Sequence, residues 1–230
     1  MSHREAGMNP KDETRITDMT DLAQFNPSRS KSCDLDLLPV VEPVVSLPIP
    51  NLFEGTKKVL AFDQAIANTG WCVMFHQAGI SSEILDAGTI RTVASEERTS
   101  WDDTLDRATQ VTKQVLDLLW SHVPDLVLHE MPPVGSGPFM RGTYSSVCAA
   151  VAVRDAAMIA ALPVAQVSAQ EAKKVLTGDG NAKKPEVRKV VNRLIEEGSL
   201  FLNPEAKIRL NEHIIDAIAL ILTYRSTHNG

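Results

Sequence analysis

The chain is poor in aromatic residues, at 5% of 230 positions, and it holds only three cysteines. A core must therefore be filled by aliphatic side chains, and a hydrophobic content of 43% is enough for a domain of ordinary size. Cys33, Cys72 and Cys148 are odd in number, far apart and in no C-x-x-C pair. That pattern argues against a disulfide framework or a thiolate metal site and predicts reduced thiols in a cytoplasmic protein. No apolar run is long enough for a membrane span, and the N-terminus has no apolar signal-peptide core. An excess of positive charge is missing too, since the formal net charge is -6. The total hides an uneven distribution. Residues 1–55 carry five basic and nine acidic side chains, whereas residues 171–210 carry nine basic and six acidic ones. The second stretch reads equally as a phosphate-facing surface or as a solvated helical face.

Residues 1–55 sustain no helical or strand period and are punctuated by Pro39, Pro43, Pro48 and Pro50. This predicts a largely disordered or extended arm, with the folded domain at 56–230. Its acidic content argues against an organellar transit peptide. From Lys57 the patterning changes. Segments 57–63, 70–76 and 83–93 read as an antiparallel meander of three strands, with a turn near Gly79. Thr99 or Ser100 caps a helix over 101–122, in which Leu105, Ala108, Val111, Val115, Leu118 and Leu119 recur at helical spacing. A strand at 125–130, a loop rich in proline and glycine, an alanine-rich helix over 143–161 and a strand at 163–167 follow. Ser168 and Glu171 form a capping box for a helix ending near Leu176, and Pro185 suits the first turn of another. Asn211 caps a last helix reaching about Tyr224. The order predicts an α/β domain whose mixed five-stranded sheet, a meander plus two parallel strands, is flanked by helices. It resembles the ribonuclease-H-like arrangement.

Two predicted strands end in a carboxylate, Asp63 in the first and Glu130 in the fourth. If those strands are neighbours, both side chains converge at one end of the sheet. His213 and Asp216 are three apart and share a face of the last helix, which is otherwise apolar. A charge on such a helix is costly unless it is paired or metal-bound. Carboxylates without cysteine suit hard cations, Mg²⁺ or Mn²⁺. Two ions about 3.5–4 Å apart can activate a water and stabilise a leaving oxygen in phosphodiester cleavage. Asp63 is the candidate to bridge both, with Glu130 on one and Asp216 on the other. His213 either ligates the second ion or orients the water.

Four segments, VLAFDQAIANTGW, DLVLHE, PVAQVSAQEAKKVLTGDGNAKKPEVRKVV and NEHIIDAIALILTY, occur in the order and spacing of a known family. Over residues 59–224 the chain resembles the RuvC family of Holliday junction resolvases, in particular its bacteriophage-type variants. The resemblance implies a homodimer that makes paired symmetric nicks in four-way DNA junctions. It implies catalytic roles at Asp63, Glu130, His213 and Asp216, and DNA contacts by Lys173 and Lys184. Lys183, Arg188 and Arg141 are further candidates for the DNA surface. The turn TGDGNAKK fits phosphate through its glycines and lysines, or serves as a plain linker between helices. An aromatic after Glu130 is a candidate wedge into the junction, and Phe139 is favoured over Tyr144; packing on the protein itself is the competing role. The alanine-rich helix supplies either the dimer interface or a buried element of the monomer. The chain departs from the family where Gln64 and Ala65 follow the first aspartate in place of proline and glycine. Rival readings are a nuclease of the same fold acting on other branched or duplex nucleic acid, and a non-catalytic junction-binding protein. An actin-like ATPase would need a second similar domain, for which the chain is too short.

Overall fold

The computed structural model describes residues 56–77, 82–132 and 140–228. The expected arm at 1–55 and the turn near Gly79 lie outside the described residues. The elements run β1 (Thr56–Asp63), β2 (Asn68–Gln77), β3 (Ser82–Arg91), α1 (Ser100–His122), β4 (Leu126–Glu130), α2 (Met140–Ile159) and β5 (Val164–Val167). They continue with α3 (Ala169–Thr177), α4 (Lys184–Glu196), β6 (Leu200–Leu202) and α5 (Glu212–Thr227). The sheet order is β5-β4-β1-β2-β3-β6. The pairs β1–β2 and β2–β3 are antiparallel, while β1–β4, β4–β5 and β3–β6 are parallel.

The α/β class and mixed sheet follow expectation, but the sheet has six strands and not five. The extra strand, β6, pairs Ser82, Glu83 and Ile84 with Leu200, Phe201 and Leu202. Three residues are too few to show a period, so its pairing is fixed by the tertiary context. Among the described helices none is long and apolar enough to cross a membrane. Cys72 and Cys148 are both unpaired.

β1 lies inside the sheet, and its side chains alternate between two cores. Val59 and Ala61 join Leu126, Leu128 and the apolar side of α5 in one cluster. Leu60 and Phe62 join Val127 with Val111 and Val115 of α1 and Val153 of α2 in the other. All four β1 residues are fully buried. Asp63 continues the parity of Val59 and Ala61, and Glu130 that of Leu126 and Leu128. Both carboxylates therefore leave the sheet on the side covered by α5.

Three helix starts carry the expected N-cap bonds, although at α3 only the Ser168 half of the expected capping box forms. The Thr99 hydroxyl accepts from Asp102 N–H and starts α1. The Ser168 hydroxyl accepts from Glu171 N–H at 3.1 Å and starts α3. Asn211 Oδ1 accepts from Ile214 N–H at 3.0 Å and fixes the first turn of α5, where His213 sits. The approach of that turn to the sheet depends on Gly70 of β2. A Cβ there would lie 2.3 Å from the His213 carbonyl oxygen and 2.6 Å from its Cβ. Because both obstacles are anchored, Gly70→Ala is expected to cost about 1–3 kcal/mol through overpacking. Thermal unfolding of this variant should show a Tm several degrees below wild type, and an unchanged Tm would show that α5 can move aside freely.

Candidate active site

One cleft of about 290 Å³ opens where β1, β4, α3, α4 and α5 meet. Asp63, Glu130 and Asp216 line it together with Lys173 and Lys184. Each acid arrives by a different route. Asp63 ends a central strand, Glu130 ends its parallel neighbour, and Asp216 lies one turn into α5. His213, three residues before Asp216, places its Nδ1 3.2 Å from Asp63 Oδ2. The four expected residues are thus gathered at one place by elements far apart in sequence.

The carboxylates strain against one another. Burial raises the pKa of Asp63; a hydrogen bond from Glu130 opposes this, the negative charge of Asp216 adds to it, and the result is about 6. Glu130 is raised by burial, by its hydrogen bond to Asp63 and by the charges of Asp63 and Asp216, to about 8. Lys184 is the local counter-charge. Its Nζ lies 3.1 Å from Asp216 Oδ2 and 3.3 Å from Glu212 Oε2. Burial works against the ammonium, but the two carboxylates outweigh it and raise its pKa. His213 Nε2 also lies 4.0 Å from Glu212 Oε1. Glu212, an acid just outside the expected set, thereby touches both His213 and Lys184. Its only sequence signal is its place beside His213 in the first turn of α5.

Among the described residues no three acid, histidine or cysteine side chains are already drawn into one coordination sphere. Asp216 is instead bonded to the Lys184 ammonium. The donor set nevertheless fits a divalent cation, because the converging groups are carboxylates and they carry more negative charge than the one ammonium neutralises.

None of the remaining candidates among the described residues lines this cleft. Arg188 lines an adjoining groove with Lys184 and Glu212, and its guanidinium donates to the Leu210 carbonyl at 3.0 Å. Lys183 is exposed at the N-cap of α4, where Glu186 reaches back to accept from its N–H at 2.6 Å. The backbone of Arg141 is in the first turn of α2, and its side chain lies outside the described residues. Phe139 lies outside them altogether. Tyr144, the other aromatic, stacks on Trp101 at a ring separation of 4.3 Å. Gln64 is 6% exposed and hydrogen-bonds both main-chain polar groups of Glu130.

A family model described as crossover junction endodeoxyribonuclease RuvC matches residues 59–224. A protein of that description from Salinibacter ruber is 30% identical over 141 residues, which is 60% of this chain and 72% of that protein. Another from Parvibaculum lavamentivorans is 28% identical over 174 residues, covering 74% and 86%. Among solved structures, T. thermophilus RuvC in complex with Holliday junction substrate superposes with a TM-score of 0.58 at 25% identity, covering 74% of this chain and 93% of that one.

The electrostatics give a test that needs no DNA. Asp63 and Glu130 bind their protons more tightly in the folded than in the unfolded chain. Their penalty is absent below the ordinary values of 3.8 and 4.5, and it accumulates as pH rises through about 6 and about 8. In chelator, Tm should therefore fall relative to Asp63→Asn as pH is raised across that window. A saturating divalent cation should restore more of the loss at the alkaline end. Each kcal/mol relieved corresponds to roughly 2–4 °C. Parallel wild-type and Asp63→Asn curves would show that the pair is not repelling.

Proposed function

We propose that this chain, which belongs to the RuvC family of crossover junction endodeoxyribonucleases, nicks four-way DNA junctions with Mg²⁺ ions held by Asp63, Glu130 and Asp216. As a member of that family it is a Holliday junction resolvase, a nuclease that acts on branched DNA as a dimer and depends on divalent metal. The residue assignment is carried by a single observation, the convergence of three carboxylates and two lysines from five elements in one cleft. Oxygen donors favour Mg²⁺, with Mn²⁺ able to substitute, and two ions per site are assigned. Such ions supply an activated water and neutralise the charge that builds on the leaving oxygen.

The chain's own residues do the rest. Asp63 and Glu130 end adjacent strands whose pairing runs to Phe62 and His129, so the sheet brings both to the same edge of the cleft. His213 orients Asp63 through Nδ1, the atom at which a proton between the two would be held. Lys184 is the cation of the set, bonded to Asp216 and Glu212. Its ammonium would be released to a phosphate once other positive charge reached the Asp216 carboxylate. Lys173 lies on the lining of the same cleft, and Arg188 and Lys183 extend the basic surface along α4. The nuclease domain is assigned to 56–230, which contains every residue given a role here.

Two nicks on opposed strands need two clefts related by a two-fold axis. The exposed side of α2 carries Val147, Val151, Met158 and Ile159, an apolar stripe that a second copy could cover. Val151→Glu is expected to shift the protein from dimer to monomer in analytical ultracentrifugation and to replace paired nicks by single ones. A stable dimer would place the interface elsewhere.

The chemical claim is tested on a synthetic four-way junction in Mg²⁺. Wild type should give paired nicks, while Asp63→Asn should bind the junction and leave it uncut. Cutting by Asp63→Asn at the wild-type rate would overturn the assignment. Tight binding by wild type without nicking in any divalent ion would favour a binding-only protein.

A further inference from the structure

The ladder between β1 and β4 stops at Phe62 and His129, one residue short of Glu130. On its other side Glu130 is still secured. It pairs with Val167 of β5, and the next N–H, that of Met131, donates to the Val167 carbonyl at 2.9 Å. On the β1 side its own N–H and carbonyl meet the Gln64 side chain. Gln64 Oε1 accepts from Glu130 N–H at 2.9 Å, and Gln64 Nε2 donates to the Glu130 carbonyl. A primary carboxamide offers the donor and acceptor of a peptide unit. Gln64 therefore adds one more rung to a parallel ladder after the strand itself has ended, and it does so almost out of contact with water.

We propose that Gln64 is a positioning residue for the nuclease reaction: its carboxamide clamps the main chain of Glu130 and thereby sets the distance at which the Glu130 carboxylate faces Asp63. The inference rests on the cleft being the metal-holding site described above. Two carboxyl groups face each other there, and they repel whenever both are ionised. Glu130 is the last residue of its strand, so their repulsion acts on a strand end. A clamp on both main-chain groups of that residue resists the splaying, and the carboxylate spacing is then preset before a cation arrives. The role depends on both length and chemistry. Asparagine is one methylene too short, glutamate lacks the donor, and methionine has the length but neither polar group.

The test uses the full chain and Mn²⁺ as the probe. Gln64→Met should bind Mn²⁺ roughly 10–100-fold more weakly by calorimetry or electron paramagnetic resonance, the range typical for groups that hold a metal ligand in place. Its junction nicking should fall at low Mg²⁺ and recover as Mg²⁺ is raised, while junction binding in chelator stays at the wild-type level. A merely structural role would lower Tm and activity together at every metal concentration, and that result overturns the proposal. So does an unchanged Mn²⁺ affinity. If Gln64→Met does not fold, Gln64→Asn, which keeps the amide and loses the reach, is expected to show the same metal dependence. Asp63→Asn run in parallel separates the two levels of the claim. If that variant loses Mn²⁺ binding and nicking while Gln64→Met behaves as wild type, only the clamp is wrong. If Asp63→Asn still nicks, the reading of the cleft is wrong.

Discussion

Asp63 and Glu130 are like charges on neighbouring parallel strands, partly stripped of water, with Asp216 facing them from a helix. Left alone, such a group either takes up protons or is pushed apart. Much of the surrounding structure can be understood as what holds it together. The strands fix where two of the acids begin. Gly70 lets the first turn of α5 come close enough to bring His213 to Asp63. Lys184 reaches in from α4 to supply positive charge to Asp216. A divalent cation satisfies the same need with twice the charge and no protons to lose, and this is why a site poised in repulsion is suited to bind one.

This constraint also explains how the fold distributes its polar groups. β1 buries four successive apolar residues between two cores and then, at the sheet's end, turns the parity of Val59 and Ala61 into an acid. Had the register slipped by one residue, Asp63 would face α1 and α2, where the cluster around Phe62 has no place for charge. The carboxylate cleft and the core are therefore specified by one alternation. The departure from the usual family pattern after the first aspartate falls at the point where the ladder runs out, and the glutamine found there makes the bonds that backbone would otherwise make.

Much of this was legible in the sequence because it is local. Apolar strands ending in Asp63 and Glu130, the caps at Thr99, Ser168 and Asn211, and the three-residue spacing of His213 and Asp216 are all short-range patterns. β6 was not legible, since Leu200–Leu202 is too short for a period and is a strand only because β3 lies beside it. The partners of Lys184 were not legible either. A lysine in a basic stretch reads as a phosphate ligand, and only the packing of α4 on α5 reveals Asp216 and Glu212 within reach. Gln64 was visible as an anomaly, but its bonds span 66 residues and depend on where β1 stops. What sequence patterning misses here is the set of contacts made by side chains across elements.

The central question is whether these acids hold metal together. Anomalous diffraction from crystals of the full chain soaked in Mn²⁺ measures this directly. Manganese density is expected in contact with Asp63, Glu130 and Asp216, with the Lys184 ammonium withdrawn from Asp216. Manganese bound elsewhere, or a Lys184–Asp216 pair unchanged at saturating Mn²⁺, would contradict it.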